Sequence, residues 1–98
     1  MKIIDHLTEF QWDKGNKDKN YQKHQVTDQE CEEAFFDQTK KILNDILHSD
    51  KEPRYILLGQ TKENRILFIV FTIRFWKIRV ISARDLGKKE KKIYEEKT

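Results

Sequence analysis

The chain reads as an α+β domain built on an antiparallel sheet, and three stretches predict it. Ile66 to Arg84 holds the densest apolar, β-branched and aromatic run, followed by an alternation that hands cations to one face. Thr27-Asp28-Gln29-Glu30 has the Ser/Thr-x-x-Glu spacing of a capping box and opens a helical repeat of Cys31, Ala34 and Phe35. Leu86 to Glu96 is a basic, lysine-rich segment that reads as a final helix. Helices flanking adjacent strands with short loops make an antiparallel meander with helices at its ends.

Taken in order, Leu7 to Trp12 alternates apolar and polar residues, which predicts a short strand. Asp13 is placed to cap an exposed helix over Lys14 to His24, which Gly15 and Asn16 weaken. The second helix runs from Thr27 to about Phe36, with acidic residues in its first turns where the helix dipole favours them. Asp37 to Leu47 carries Ile42, Leu43, Ile46 and Leu47 at helical spacing and reads as helix, although it is long enough for a strand and a turn. His48 to Pro53 is a loop, because proline disfavours helix at the residue before it. Arg54 to Gln60 predicts a strand, Glu63-Asn64 a turn, and Ile66 to Thr72 a strand buried on both faces. Arg74 to Trp76 turns the chain into a last strand, Lys77 to Ala83. There Lys77, Arg79 and Ile81 should share one face and Ile78, Val80 and Ser82 the other.

At 98 residues, 37% apolar and 38% charged, the chain suits one domain over 1–98 with a small core and a heavily charged surface. The formal charge of +3 is unevenly spread. Residues 27–37 carry five acids and no Lys or Arg, whereas residues 74–98 have a net +5. That asymmetry predicts two surfaces with different tasks and permits nucleic-acid binding. Cys31, the only cysteine, excludes an internal disulfide and a cysteine metal cage, which fits a cytoplasmic location. The opening Met-Lys-Ile-Ile-Asp-His meets charge too soon for a signal peptide, and nothing approaches the ~20 apolar residues of a membrane span.

Four groups could carry chemistry. Lys23-His24 sets a cation beside the side chain that titrates nearest neutrality, or is simply a solvated helix end. His48, Ser49, Glu52 and Arg54 form a polar loop cluster that turn chemistry alone could explain. Arg54, Arg65, Arg79 and Arg84 can pair bidentately with phosphate, or equally with the acidic helix. Phe75 and Trp76 stand at a hairpin tip, where base stacking, a partner protein or packing over a sheet edge would account for them. No metal motif and no glycine-rich phosphate loop is present, so no metal or cofactor is expected.

The order of these features resembles the BrnT family of bacterial type II toxins. Phe10-Gln-Trp-Asp13 is similar to the family's opening, and Lys14, Asn20, Lys23 and His24 to its Lys…Asn-x-x-Lys-His pattern. Val26-Thr27, Glu30, Phe35-Phe36-Asp37 and Gly59 fall in place, as do His48-Ser49, Glu52 and Arg54. Ile78-Arg-Val-Ile-Ser-Ala-Arg84, Glu90 and Tyr94 are similar to the closing signature. Two departures stand out: Gln25 replaces the glycine after Lys-His, and Phe75-Trp76 replaces a glycine-rich tip.

The resemblance implies a RelE-like fold, with an antiparallel sheet of four to five strands, two N-terminal helices and a C-terminal helix. It turns residues 39–46 into a strand. It further implies a ribonuclease that arrests translation and a BrnA-like antitoxin partner. That partner would be a ribbon-helix-helix protein, joined with the toxin in a heterotetramer and repressing their operon through its own DNA-binding domain. The expected chemistry is metal-free cleavage through the neighbouring 2′-OH, which distinguishes RNA from DNA. Catalysis is expected from Lys23, His24, Arg79 and Arg84, and RNA contacts from Glu52, Arg54, Arg65, Trp76 and Lys88. The competing readings are a non-catalytic nucleic-acid binder using the same arginines, and a module that only receives an antitoxin.

Overall fold

The computed structural model describes residues 6–44 and 52–96. Its elements are α1 (Lys19–His24), α2 (Asp28–Phe35), β1 (Lys41–Asn44), β2 (Tyr55–Gln60), β3 (Ile66–Arg74), β4 (Lys77–Asp85) and α3 (Lys88–Glu95). The four strands form one antiparallel sheet in the order β1-β2-β3-β4, so the fold is α+β with a sheet at the lower end of the expected size.

Directly opposed residues share a face of a sheet, which sorts the strands into two sides. Ile42, Leu57, Ile69 and Ala83 stand across the sheet on one side, with Leu67, Phe71, Val80 and Ile78 beside them. α2 covers this side with Cys31, Ala34 and Phe35, all buried. Phe35 meets Phe71 edge-to-face at 4.9 Å and Phe10 at 5.3 Å, the geometry aromatic rings prefer. The helix lies directly on Gly59, where an added Cβ would come within 2.4 Å of the Ala34 carbonyl oxygen. On the other side Leu58 is fully buried. Arg84, opposed to Phe68, faces that side and pairs with Glu90, which brings α3 onto it.

The capping box forms as the spacing predicts: Thr27 Oγ1 accepts from Glu30 N–H and the Glu30 carboxylate accepts from Thr27 N–H. The first segments differ from expectation. Leu7 to Trp12 is no strand, because Phe10 makes one isolated parallel bridge with Ile78 before Asp13 turns the chain away. Lys14 to Asp18 is a turn and only Lys19–His24 is helical. Asp13 still acts as a cap, but of the turn: its Oδ1 accepts from Gly15 N–H and its carbonyl from Asn16 and Lys17. The helical reading of Asp37 to Leu47 is overturned. Lys41–Asn44 pairs with Tyr55–Leu58 as β1, as the resemblance implied, and residues 45–51, with His48 and Ser49, lie outside the described part.

β4 would be an exposed edge, and an edge strand with unpaired backbone groups invites aggregation. The N-terminal segment covers it. Gln11 N–H donates to Ile78 O and Ile78 N–H to Glu9 O, and the buried Asn16 and Asn20 side chains complete the job at Val80 O and Ala83 N–H. A bulge between Val70 and Phe71 in the pairing with β4 breaks the expected alternation. Beyond it Ser82 is exposed and Ala83 takes the core position, so Arg79 and Arg84 both face away from α2 despite their odd spacing. β3 is fully buried only on its α2 side, apart from Thr72, whose Oγ1 donates to Pro53 O.

Candidate active site

The predicted site residues fall at two ends of the β3–β4 hairpin. At the turn end, Arg79 sends Nη1 to Asp13 Oδ2 at 2.8 Å and to Gln11 Oε1 at 3.1 Å, and Nη2 to Asp13 Oδ1 at 3.0 Å. Its side chain is 13% exposed, against 52% for Asp13. Gly15 makes this possible, since a Cβ there would stand 2.5 Å from Arg79 Nη2. The guanidinium and the Gly15 N–H hold the Asp13 carboxyl below its usual range. Next to this pair, Arg74 grips Glu52 bidentately at 2.8 and 3.1 Å. Arg74 lowers the Glu52 pKa most, and the charges of Arg54 and Arg79 add to it. Two predicted residues, Arg54 and Arg79, thus act electrostatically on a third, Glu52.

Arg74 and Asp13 were not singled out for chemistry by the sequence, and both belong here. A signal for Arg74 existed. A two-residue turn at Phe75-Trp76 forces Arg74 to face Lys77, with Thr72 and Arg79 the next pair on the same face. Asp13 and Arg79 stand 66 residues apart, and no local pattern joins them.

At the open end, Arg65 is a hub. Nε and Nη2 take both oxygens of Asp85, Nη1 takes Glu30 and the Gln25 carbonyl, and Nη2 reaches the His24 carbonyl at 3.2 Å. The two carboxylates respond. Asp85 is lowered chiefly by its hydrogen bond to Arg65, with His24 contributing through its charge. Burial alone would raise Glu30, yet the Thr27 N–H and Arg65 carry it below its ordinary value. This clamp closes the turn in which Gln25 sits at φ 58°, the left-handed geometry that glycine would take without strain. Lys23 and His24 are exposed on the last turn of α1.

Arg84 also lies towards this end. Its Nη1 and Nη2 hold the two Glu90 oxygens at 2.9 and 2.7 Å, and its guanidinium stacks 4.0 Å from the centre of the Phe68 ring. Glu90 in turn accepts from Gly87 N–H, so the pair fixes the start of α3. The far end of α3 is tied by the Tyr94 hydroxyl, which donates to Asp37. Burial would raise Asp37, but hydrogen bonds from Tyr94, Thr39 and Gln60 N–H hold it low. Lys88 is exposed in the first turn of α3. Arg79 and Arg84 are separated by roughly 15 Å of strand, at about 3.3 Å per residue, and serve different partners.

Other features carry less. Burial pushes the Cys31 thiol up to about 12, which suits a core residue rather than a nucleophile. Among the described residues Asn20 Nδ2 is buried without a protein partner, while Oδ1 of the same residue accepts from Ala83 N–H. A groove of about 370 Å³ beside α2 is lined by Glu32, Glu33 and Asp37, and its acidity does not suit a polyanion. Among the described residues no cluster of His, Cys, Asp or Glu is arranged to hold a metal ion, and no helix is long and apolar enough to cross a membrane.

No curated protein matches the chain. A family model does, over residues 12–90, which spans the turn at Asp13, both ends of the β3–β4 hairpin and Glu90 at the start of α3. The chain belongs to the family that this model describes, BrnT, the ribonuclease toxin of type II toxin–antitoxin systems.

Proposed function

We propose that the protein cleaves RNA without a metal, using the ribose 2′-OH as nucleophile, and that a BrnA-like antitoxin silences it in a heterotetramer. The observation that carries the catalytic part is the Arg65 clamp on the carbonyls of His24 and Gln25. A strained turn held by two nitrogens of one arginine gives His24 a fixed position at the protein surface, which proton transfer requires. His24 takes the proton from the 2′-OH or gives one to the leaving 5′-oxygen, and Lys23 offsets charge on the phosphorane.

In this reading the arginines divide the phosphates between them. Arg84 serves the phosphate nearest His24, and Arg79, supported by Arg54, Arg74 and Glu52, serves one further along the strand. Each fork is already anchored on a carboxylate, which fixes its geometry. A guanidinium has five N–H donors, so an anchored fork still presents an edge to phosphate. Lys88 adds charge beside the Arg84 end.

The anchoring also favours a second reading, a non-catalytic module whose arginines only stabilise the fold or bind nucleic acid. The two part at His24. On the ribonuclease reading His24→Ala slows cleavage of a short RNA by roughly 10²–10⁴ and relieves growth arrest while the protein stays folded. On the second reading purified wild-type protein binds RNA and yields no product.

A further inference from the structure

We propose that Phe75 and Trp76 form a stacking platform for unpaired RNA bases, at the end of the sheet where Arg74, Lys77 and Arg79 receive the phosphates. The proposal deepens the ribonuclease reading by naming single-stranded RNA as the form of substrate engaged, and it rests on that reading.

The backbone makes the first argument. Phe75 and Trp76 are the two central residues of the β3–β4 turn, between the opposed pair Arg74 and Lys77. Their φ values are 51° and 64°, the mirror-image turn that normally takes Asn-Gly. Bulky side chains are genuine outliers in this geometry, and retained strain of this kind marks functional sites. The strain has a geometric product, since it fixes two adjacent rings at the tip of a rigid hairpin.

Exposure makes the second. Phe75 is 86% and Trp76 69% exposed, whereas Phe10, Phe35, Phe71 and Tyr55 pack against aromatic rings of the same chain. Charge decides the occupant. Arg74 and Lys77 flank the rings on the same face as Arg79, and Arg54 acts on the same Glu52 that Arg74 holds. Aromatic faces beside cations are the pattern by which proteins grip single strands, base on ring and phosphate on cation. A convex tip of two rings among charges offers no broad apolar surface of the kind a protein partner buries.

The test uses the full chain freed of antitoxin, and a labelled single-stranded 2′-O-methyl RNA octamer that cannot be cleaved through its 2′ oxygens. The probes are wild type and the double variant Phe75→Asn with Trp76→Gly, which supplies the turn's preferred residues and so keeps the hairpin. Affinity for the octamer should fall at least about fivefold, as loss of one stacked base implies. An abasic octamer of equal charge should bind both proteins alike. Equal octamer affinity in the two proteins overturns the proposal. So does an equal loss on the abasic strand, and so does a defect confined to antitoxin binding. A wild-type protein that binds the octamer yet cleaves no RNA would sink the ribonuclease reading and leave the platform standing. Cleavage with unchanged binding by the double variant would do the reverse.

Discussion

The two ends of the β3–β4 hairpin use arginine in opposite ways. At the open end Arg65 is saturated: three nitrogens reach two carboxylates and two carbonyls and tie α1, α2, β3 and β4 together. At the turn end Arg74 and Arg79 each hold one exposed or half-exposed carboxylate, beside two rings that touch solvent. One end gives an arginine to several partners at once; the other gives each arginine a single carboxylate, although Arg79 at 13% exposed is no more open to solvent than Arg65 at 26%. The difference teaches that a basic residue's role follows from how many of its donors the fold consumes. In the proposed mechanism Arg65, expected to bind RNA, holds the backbone carbonyls of His24 and Gln25.

Breaking the open end should have the largest effect. His24→Ala is expected to lower the rate of RNA cleavage by roughly 10²–10⁴, the range of general acid–base catalysis. Its melting temperature should stay near wild type, since His24 is exposed; single-turnover kinetics and a thermal melt measure the two. Arg65→Met removes every tie of the clamp. Discounted for its partial exposure, the loss should be about 2 kcal/mol, or roughly 8–16 °C for a domain of this size, read by calorimetry. Arg65→Lys should recover only part of it, because an ammonium cannot reproduce the fork.

The packing beneath both ends gives an intermediate effect. Gly59→Ala forces a methyl against the Ala34 carbonyl and should cost about 1–3 kcal/mol, measured by urea unfolding. At the turn end the sign reverses. Replacing Phe75-Trp76 by Asn-Gly should stabilise the fold by about 1–2 kcal/mol as left-handed strain is released, even as RNA affinity falls. A variant that loses stability there would show that the rings pack against the chain and are not held out for a ligand.

The smallest effect is the dependence on acid. Glu30, Asp37, Asp85 and Glu90 all have folded pKa values below their ordinary ones. The unfolded chain therefore takes up protons first as pH falls. Their stabilisation is complete above the unfolded carboxylate range of about 4 and is lost as pH drops through the lower folded values. Arg65→Met frees Asp85, so its stability should fall less steeply than wild type between about pH 4 and 2.

Much of the fold was legible because its signals are local. The capping box at Thr27, the strand signals of β2 to β4, and the turn at Phe75-Trp76 each depend on neighbours in sequence. β1 was misread from its own residues, because Ile42 and Leu43 satisfy either period and pairing with β2 decides. The face of Arg84 could not be read, since one bulged residue shifts the alternation. At the site, His24 and the arginines were visible as residue types. Their partners Asp13, Glu90 and Asp85 were not, because those pairs are set by how the sheet's ends meet the helices and turns.

On the proposed mechanism this chain cuts RNA by in-line attack of the RNA's own ribose 2′-OH on the adjacent phosphate. The direct measurement uses a short RNA that the purified protein cleaves, incubated in excess EDTA beside the same strand with one 2′-deoxy sugar at the cut. Cleavage in EDTA, with 2′,3′-cyclic phosphate ends and no cut at the deoxy position, is the predicted result. A cut that persists at the deoxy sugar, or one that EDTA abolishes and added magnesium restores, would contradict the account.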